Sequence, residues 1–373
     1  MRLKLAFAYD SAYPWFNGGI EKRRFLIMQA LANAGHEVHC FTMLREGMPG
    51  KEFSYKGIRY HCCGVAIPNS KMYVHGRRNI RWPLKYALIL PFKLIKYDNF
   101  DLIDADAFPF LHLFTISLIA KLKRIKFIVT WHEVWSLEYW QKYLGKLDGA
   151  IGYFVEYLAS KLTKDFIANS NETAKRLYEQ FGKKSFVFPA AVSSYEFDAK
   201  NIGHIKKKDQ FISIGRLVPE KRMDMVLRAI AESNASAKII GIGPEEKNLK
   251  ALAKDLGIEK RIKFIRRLSP KRLFTSIKES RGLLMFSARE GLSLITLEAM
   301  MLGVPVFIVG STSLPSDVKK LCITLNENSL GKSIKEVLKN YRKYEEKAKK
   351  AREIVLERYS ADYALQVYEK FLK

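Results

Sequence analysis

Short apolar runs alternate with helical stretches along this chain, and the alternation begins again near its middle. Leu3 to Tyr9 has the composition of a strand, Gly19 to Ala34 that of a helix, and His36 to Met43 that of a second strand. Phe211 to Ile214 starts the same series anew. Strands that alternate with helices form parallel sheets with right-handed crossovers. The sequence therefore predicts an α/β protein with two halves of the same design.

A stretch without periodicity separates the two halves. Pro189 to Asp209 lacks the spacing of a helix or a strand and contains a lysine run at Lys206 to Lys208. Domain boundaries usually fall in such polar segments, and 373 residues is long for a single hydrophobic core. We therefore expect one domain over residues 1–195 and a second over residues 205–358.

The most unusual compositional feature is the charge. The chain has 64 lysines and arginines against 38 aspartates and glutamates, a formal net charge of +26. Such an excess favours anionic partners, which include nucleic acids, anionic lipid headgroups and phosphorylated substrates, although a solvated lysine-rich surface gives the same total. No pattern of a common nucleic-acid-binding module accompanies the charge, so nucleic acid is the weakest of these interpretations.

Cysteine usage and hydropathy indicate the compartment. The four cysteines show neither a C-x2-C spacing nor the density of a disulfide framework, which is typical of reduced thiols in the cytosol. No apolar run reaches the roughly 18 to 20 residues of a membrane span, and Met1 to Ala8 is better interpreted as a first core strand than as a signal peptide. We expect a cytoplasmic protein, with peripheral attachment to the inner face of the cell membrane as a further hypothesis.

Basic and aromatic residues are mixed in the segment from Lys71 to Phe100, where Asp98 is the single acid. Its cations are Lys71, Arg77, Arg78, Arg81, Lys85, Lys93 and Lys96, and its aromatic residues include Tyr73, Trp82, Tyr86, Phe92 and Tyr97. This composition is typical of a membrane interface, of a stacking platform for single-stranded nucleic acid, or of a helix packed on a sheet with its basic face in water. Pro83 and Pro91 argue against one continuous helix.

The stretch from Ser287 to Pro305 carries the clearest candidate for a binding site. It follows one apolar run and leads into another, which predicts a strand, a loop, a helix and a further strand. Gly303 occupies the position of a glycine that ends a helix, so the helix is expected over about residues 292–302.

Two carboxylates flank the start of that helix. Glu290 lies in the loop before it and Glu298 lies about two turns further on. The backbone N–H groups of Gly291, Leu292 and Ser293 are the unpaired donors of the helix start and form an anion site between the carboxylates. Carboxylates accept hydrogen bonds from hydroxyls, so the arrangement suits a sugar, a diphosphate and a ribose. Two ordinary surface acids near a helix start would give the same pattern.

A pair of cations follows the first strand of the second half. Arg216 lies in the loop after that strand, and Lys221 lies in the first turn of a helix that Pro219 and Glu220 begin. An arginine fork and a lysine point charge near a helix start can clamp a diphosphate. Either residue alone would be interpreted as a solvated surface cation.

The first half offers weaker candidates. Gly18 and Gly19 form a tight turn between the first strand and the first helix, where α/β folds place ligands. His132 follows a predicted central strand and can donate to a substrate oxygen or serve a structural role. Asp104 and Asp106 form an Asp-x-Asp pattern that we interpret as carboxylates in the loop at a strand end, because no further acid or histidine completes a hard-cation site.

Four blocks of the second half carry a family pattern. They are I-G-R-L-V-P-E-K-R-M-D at Ile214 to Asp224, I-I-G-I-G-P-E-E-K-N-L at Ile239 to Leu249, L-G-I-E-K-R-I-K-F at Leu256 to Phe264, and the stretch from Glu290 to Pro305. In order and approximate spacing they resemble the retaining nucleotide-sugar glycosyltransferases of GT-B fold, specifically the large family four. The first half matches only in the turn from Gly18 to Glu21 and loosely in His132.

The resemblance implies a fold and an activity. The fold would consist of two Rossmann-like domains whose parallel sheets face each other across a cleft, with the last helix, residues 360–373, packed back on the first domain. The activity would be transfer of a hexose from a UDP- or GDP-linked donor to an acceptor, with lipid-linked and polysaccharide-precursor acceptors as candidates. The family needs no cofactor and no bound metal.

The resemblance also implies roles for the residues of the second half. Arg216 and Lys221 would hold the donor diphosphate and stabilise the charge that develops on the leaving group. Glu298 would bind the ribose and Glu290 the hydroxyls of the transferred sugar, with the amides from Gly291 to Ser293 beside the phosphates and the sugar. Gly18 and Gly19 would lie near the donor, and His132 near the sugar on the acceptor side.

The chain departs from the family pattern in two places. Gly291-Leu292-Ser293 stands where the family often has Gly-Phe-Gly, and Arg266 stands where it often has glycine. The second departure leaves both UDP and GDP open as donors. Two other functions stay open as well: a non-catalytic basic nucleic-acid-binding protein, and another two-domain α/β nucleotide-sugar enzyme. A dinucleotide-dependent enzyme is less favoured because the glycine turns lack Gly-x-Gly-x-x-Gly.

Overall fold

The computed structural model of the chain describes residues 2–16, 18–68, 73–74, 77–78, 81–190, 192, 205, 207–290 and 292–372. The chain divides into two compact units. Unit 1 comprises Met1–Ser193 together with Ala361–Lys373, and unit 2 comprises Ser194–Ser360. Most of the predicted linker from Pro189 to Asp209 lies outside the described residues.

Unit 1 is built on an eight-stranded sheet, beside which β5 and β6 form a short two-stranded ribbon. The strands are β1 (Lys4–Ala8), β2 (Glu37–Leu44), β3 (Glu52–Tyr55), β4 (Ile58–Val65), β5 (Tyr73–Val74), β6 (Arg77–Arg78), β7 (Leu102–Asp106), β8 (Lys126–Trp131), β9 (Asp165–Ala168) and β10 (Phe186–Val187). The order across the sheet is β10-β9-β8-β7-β1-β2-β4-β3. The chain therefore changes direction between β1 and β7, and α/β sheets bind ligands at such points.

One edge of this sheet differs from the predicted parallel arrangement. The strand β3 runs antiparallel to β4, whereas the other neighbouring strands are parallel. Lys56 and Gly57 join the two strands with φ angles of 51° and 79°. Two consecutive residues in the left-handed region make the tight turn that suits the twist of a hairpin.

Helices cover both faces of the sheet of unit 1. They include α1 (Gly19–Asn33), α2 (Arg81–Leu94), α3 (Leu111–Lys123), α4 (Leu137–Leu144), α5 (Lys146–Ala159) and α6 (Asn171–Phe181). The helix α1 packs on one face, with Phe25 and Leu31 in its core. The helices α2 to α6 pack on the other face, where Tyr86, Ile116 and Leu177 belong to one core.

The basic segment is not one continuous helix, as predicted, because β5 and β6 precede α2, but the expectation that Pro91 would interrupt a helix is wrong. The helix α2 runs without a break from Arg81 to Leu94 and contains Pro91. The amide of Ile95 still donates to the carbonyl of Pro91 at 2.9 Å, so the helical path continues beyond the proline. Leu90 and Leu94 are buried on either side of it. Packing on the sheet therefore outweighs the hydrogen bond that Pro91 removes.

Unit 2 has a six-stranded sheet in which every neighbouring pair is parallel. Its strands are β11 (Gln210–Ile214), β12 (Ser236–Ile240), β13 (Ile262–Ile265), β14 (Gly282–Leu284), β15 (Val306–Val309) and β16 (Ile323–Leu325), in the order β13-β12-β11-β14-β15-β16. Its helices include α7 (Met223–Ala231), α8 (Glu246–Asp255), α9 (Pro270–Lys278), α10 (Leu294–Met301), α11 (Ser316–Leu321), α12 (Leu330–Lys339) and α13 (Tyr341–Arg358). The change of direction in this sheet falls between β11 and β14.

The end of the chain returns to unit 1. A 3-10 turn at Ala361–Tyr363 leads into α14 (Ala364–Leu372). The ring of Tyr368 packs edge-on against Phe7 of β1, with centroids 5.6 Å apart. The hydroxyl of Tyr368 donates to the carboxylate of Asp104. None of the helices that the structure describes is long and apolar enough to cross a membrane.

Candidate active site

In unit 2, the loops after β11 and β12 approach so closely that only glycine fits at the contact. A Cβ on Gly241 would collide with the carbonyl oxygen of Gly215, and one on Gly243 would collide with the carbonyl oxygen of Leu217. The amide of Gly215 donates to Ile240 at 3.0 Å, which holds the two strand ends side by side. The loop that carries Arg216 is thereby fixed to the end of the sheet.

The two candidate cations follow this fixed loop. Arg216 is exposed, and Lys221 ends a 3-10 turn at Pro219–Lys221. Arg222, with a φ of 49°, then turns the chain into α7 at Met223. Lys221 therefore lies in a short turn before the helix, where the sequence predicted the first turn of the helix itself.

The carbonyl oxygen of Glu220 fastens this turn to the loop after β14. It accepts the amide of Ala288 at 2.8 Å and the hydroxyl of Ser287 at 3.2 Å. The amide of Ser313 in turn donates to Ser287 at 3.0 Å. The loop that carries Lys221 and the loop that carries Glu290 are thus held together by hydrogen bonds that involve neither the Lys221 nor the Glu290 side chain.

Lys221 and Glu290 meet across these loops. The Lys221 ammonium donates to the Glu290 carboxylate in an ion pair. Both side chains keep some contact with solvent, at 17% and 13% exposure. The sequence placed them 69 residues apart, and the structure brings a candidate phosphate ligand and a candidate sugar ligand into direct contact.

The helix that follows is shorter than predicted. It runs over Leu294–Met301, with Ser293 before it in the left-handed region at a φ of 58°. The predicted anion site therefore shifts from Gly291 to Ser293, by two residues, because the unpaired amides of a helix begin at the residue that precedes it. Leu292 lies one residue further out, and Gly291 lies outside the described residues. Glu298 is buried within the helix at 4% exposure.

In unit 1, the glycine turn is shaped around a carboxylate. Gly18 precedes α1 with extended backbone, and Gly19 is the first residue of the helix. A Cβ on Gly18 would collide with the carboxylate of Glu21, which is itself buried at 4% exposure. Glycine at position 18 therefore lets Glu21 fold back against the start of the helix.

His132 lies just after β8, and its side chain is held by a hydrogen bond to Asp106. Its Nε2 is 2.5 Å from Oδ1 of Asp106 at the end of β7. Burial lowers the pKa of His132, and Asp106 offsets only part of this effect. Burial alone would raise the pKa of Asp106, but the charge of Arg24 and the hydrogen bond from His132 lower it well below its usual range. A neutral imidazole beside an ionised carboxylate donates from Nε2 and leaves Nδ1 as an acceptor.

The prediction that Asp104 and Asp106 lie in a loop is wrong. Both belong to β7, and both are fully buried. Arg24 of α1 bridges them, with Nη1 at 2.6 Å from Asp104 and Nη2 at 2.5 Å from Asp106. The hydroxyl of Thr130 also donates to Asp104 at 2.8 Å. The two carboxylates are therefore satisfied by protein partners and belong to the framework beneath His132.

Sequence analysis missed this framework. Arg24 and Tyr368 are separated from Asp104 by 80 and 264 residues. Arg24 follows Arg23 in a helix that packs on the sheet, and two consecutive arginines on a core-facing helix were a signal of buried charge. Within the described residues no three histidine, cysteine or acidic side chains are grouped to hold a metal ion.

Solved structures with the same architecture define the class. Sucrose-phosphate synthase from Thermosynechococcus elongatus superposes with a TM-score of 0.80 at 16% identity and covers 99% of this chain and 98% of its own. HepE from Anabaena, in complex with UDP, gives 0.71 at 16% identity and covers 99% of both chains. WaaG, a glycosyltransferase involved in lipopolysaccharide biosynthesis, gives 0.70 at 15% identity, covering 98% of this chain and 99% of its own. The fold is GT-B, as predicted.

Family models identify the chain further. The model of glycosyltransferase family 4 matches residues 17–193, and the model of glycosyl transferases group 1 matches residues 194–354. The chain belongs to the family-4-type glycosyltransferases of GT-B fold.

Two curated relatives match part of the chain at 31% identity. An uncharacterized glycosyltransferase of Haemophilus influenzae matches over 156 residues, which are 40% of this chain and 43% of that protein. The GDP-mannose-dependent alpha-(1-6)-phosphatidylinositol monomannoside mannosyltransferase of Mycolicibacterium smegmatis matches over 121 residues, 29% of this chain and 31% of that protein. The chain thus spans less than half the length of either relative.

Proposed function

We propose that this protein transfers a hexose from a nucleoside-diphosphate sugar to a hydroxyl acceptor with retention of anomeric configuration. The observation that carries the proposal is the ion pair between Lys221 and Glu290 beyond the carboxyl ends of β11 and β14, with Arg216 in the same connection after β11 as Lys221. Parallel sheets bind ligands at this position. A cation can bind the diphosphate of a sugar donor, and a carboxylate beside it can accept hydrogen bonds from the sugar hydroxyls.

The reaction breaks the bond between the anomeric carbon and the diphosphate oxygen. The nucleoside diphosphate leaves with the electron pair of that bond, while the acceptor oxygen bonds to the anomeric carbon on the same face and passes its proton to an oxygen of the departing diphosphate. Negative charge grows on the departing diphosphate, so fixed cations lower the barrier. Arg216 and Lys221 would supply this charge stabilisation, and the protein would need neither a metal nor a cofactor to do so.

Donor binding would rearrange the Lys221–Glu290 pair. The Lys221 ammonium would turn to the diphosphate, and the released Glu290 carboxylate would accept hydrogen bonds from sugar hydroxyls. Glu298 would bind the ribose, and the amides near Leu292 and Ser293 would contact the phosphates.

The family resemblance also gives roles to three residues of unit 1. Gly18 and Gly19 would bind near the donor phosphates, and His132 would contact the transferred sugar. Because the Nε2–H of His132 donates to Asp106, Nδ1 would accept a hydrogen bond from a sugar hydroxyl. This role replaces the donor role that sequence analysis considered for His132.

Known proteins support UDP or GDP as the nucleotide. HepE from Anabaena has been crystallised with UDP and with UDP-glucose, and the mycobacterial relative is GDP-mannose-dependent. That relative acts on a phosphatidylinositol monomannoside. This supports a lipid-linked acceptor for the present chain, with a polysaccharide precursor as the other candidate.

The test is incubation with UDP- and GDP-linked hexoses, scored by release of the nucleoside diphosphate. We expect one donor to be consumed and Arg216→Ala to slow its consumption about 10²-fold to 10³-fold, the effect of removing one charge-stabilising donor. Lys254→Ala, which removes a cation from the end of α8, is the matched control. Equal turnover by Arg216→Ala and the control would overturn the proposed site.

A further inference from the structure

An apolar surface covers the outer side of three helices in unit 1. Leu88 and Phe92 lie on α2, Leu118 and Leu122 on α3, and Leu147 and Ile151 on α5. These six side chains are 60% to 82% exposed. In each helix the pair is four residues apart, so its members lie on one side, one turn from each other. We call these six residues the outer apolar face.

The three helices lie side by side. All three pack on the same face of the sheet, where Leu90, Ile116 and Ala159 belong to one core. Lys123 at the end of α3 donates to the carbonyl oxygens of Ile95 and Tyr97 after α2, at 2.6 Å and 2.9 Å. Ser117 of α3 donates to the carbonyl of Leu162, just after α5, at 3.2 Å. The exposed pairs of the outer apolar face therefore lie on neighbouring helices.

Solvent exposure of this kind is unusual for a surface helix. A surface helix normally places polar residues opposite the side that it buries, and a helix that is apolar all round is normally buried. The helix α2 buries Tyr86 and Leu90 on the sheet and exposes Leu88 and Phe92 on the opposite side. Large contiguous apolar patches mark interaction sites.

The surrounding charges are positive. The segments of α2 and α3 contain no aspartate or glutamate. Lys85, Lys96 and Lys121 are exposed on or beside them, and Lys146 begins α5. Of the two acids in α5, Glu156 is buried and accepts a hydrogen bond from Trp140, which leaves Asp148 exposed. The outer apolar face is thus bordered mainly by cations.

We propose that the outer apolar face docks on the surface of an anionic phospholipid bilayer. Leucine and phenylalanine side chains would enter the boundary between headgroups and acyl chains, and the lysines would contact phosphate headgroups with their stems along the apolar surface. A second copy of the chain fits less well, because pairing of this face with itself would bring like charges together. This inference goes beyond transfer of a sugar and does not depend on which donor is used.

The location differs from the one that the sequence suggested. The side chains of Arg77, Arg78 and Arg81 lie outside the described residues. Trp82 and Tyr86 are buried and cannot stack on a nucleic acid base. The surface instead extends to α3 and α5, which the basic segment does not include.

The experiment is vesicle flotation of the full chain with phosphatidylcholine alone or mixed with phosphatidylglycerol. We expect the protein to float with the mixed vesicles, and to be partly released at roughly 1 M salt, where the Debye length falls to about 3 Å. The triple variant Phe92→Ser, Leu118→Ser, Leu122→Ser should reduce partitioning by at least about tenfold. Tyr363→Ser removes an exposed apolar side chain before α14 and should have little effect.

A second set of variants tests the charges with the apolar face intact. Lys96→Glu, Lys121→Glu and Lys146→Glu together should also reduce partitioning at least about tenfold, since each lysine near an anionic surface contributes about fivefold. Lys347→Glu, Lys349→Glu and Lys350→Glu make the same change of charge on α13 of unit 2 and should cause a smaller loss. Unchanged thermal unfolding confirms that the exposed substitutions leave the fold intact.

Two results would overturn the proposal. One is absence of flotation by the unchanged protein, or flotation that both sets of variants leave unaltered. The other is a dimer in sedimentation equilibrium that the triple serine variant dissociates, without vesicle binding, which would make the face a contact between copies. No sugar donor takes part, so either result would leave the proposed transferase function untouched.

Discussion

The two units share an α/β plan, but their paired charged groups lie in different surroundings. In unit 1, Arg24 and Asp104 have side-chain exposures of 3% and 0%. In unit 2, the corresponding values for Lys221 and Glu290 are 17% and 13%. A buried charge needs its partners permanently, whereas a partly solvated pair can exchange its partner for a ligand. The comparison teaches that unit 1 buries its charged groups as a framework, whereas unit 2 leaves its charged pair partly open to solvent.

The outer surfaces of the two units also differ, in the number of large apolar side chains that they expose. Among the described residues, the large apolar side chains that are exposed belong to unit 1, including Leu118 and Leu147. The outer helix α13 of unit 2 instead exposes Lys347, Lys349 and Lys350. The unit with the buried ionic framework is thus the one with an apolar exterior.

The largest expected effect is on the stability of unit 1. Arg24→Leu leaves Asp104 and Asp106 buried without their shared cation, so we expect the free energy of unfolding to fall by about 3–5 kcal/mol. Urea unfolding followed by circular dichroism measures it. Arg59→Leu breaks a pair with Glu37 whose arginine is 55% exposed, and should cost less than about 1 kcal/mol. Equal losses would refute the contrast between buried and exposed pairs.

Removal of the unit 2 cation should affect catalysis more than stability. Lys221→Ala should raise the barrier to donor consumption by about 3–4 kcal/mol, the cost of losing one charge-stabilising group. The free energy of unfolding should change by no more than about 1 kcal/mol, because the pair is partly solvated. Steady-state kinetics and urea unfolding test both claims. Lys250→Ala on α8 is the control, and a rate loss no greater than that of the control would contradict the assignment.

The stability of the two units should respond differently to pH. Burial lowers the pKa of His61 from 6.5 to about 4, with Glu52 opposing the shift, and burial also lowers the pKa of His39, His112 and His132. Below about pH 6.5 the unfolded chain binds protons that the folded unit excludes, so folding stability is lost as the pH falls. For His61 alone the loss is about 2 kcal/mol between pH 7 and pH 5.

Native-state hydrogen exchange separates the units in this test. Peptides from β2 and β4 should lose protection as the pH falls from 7 to 5, after correction for the intrinsic exchange rate. Peptides from β11 and β12 should change less, because the described part of unit 2 contains no histidine. Parallel losses in both units would show that the buried histidines are not the cause.

The smallest expected effect is on stability after Glu290→Gln. The substitution keeps the shape of the side chain and weakens a partly exposed pair, so the free energy of unfolding should change by less than about 1 kcal/mol. Asp104→Asn, the matched change in unit 1, should cost more because Arg24 stays buried beside it. Differential scanning calorimetry of the two variants shows which one loses more stability. A greater loss in Glu290→Gln would contradict the interpretation that unit 1 has the more deeply buried charged pair.

Local sequence patterns predicted the architecture because periodicity reports which side of each element is buried. The α/β class and the parallel sheets are confirmed. The same patterns failed at Pro91, where packing on the sheet keeps α2 continuous, and at β3, where two left-handed residues turn the chain back.

Contacts between distant residues were beyond those patterns. Nothing near Asp104 in the sequence indicates that Arg24 and Tyr368 satisfy it, so the carboxylates were placed in a loop. Family blocks did predict which residues of unit 2 to examine, including Arg216, Lys221 and Glu290. The exposure of Leu118 and Leu147 was not predictable either, because hydropathy alone does not separate a core side from a solvent side in an apolar helix.

The close contact between Gly215 and Gly241 limits how such a protein can evolve. The exit of β12 tolerates no larger residue at Gly241, since the first added carbon would strike the carbonyl oxygen of Gly215. Selection for a new donor must therefore act on neighbouring positions that have room to vary. Arg266, exposed at the exit of the next strand, β13, is such a position. A rigid turn next to exposed positions would let side chains such as Arg266 change without disturbing the ends of the strands.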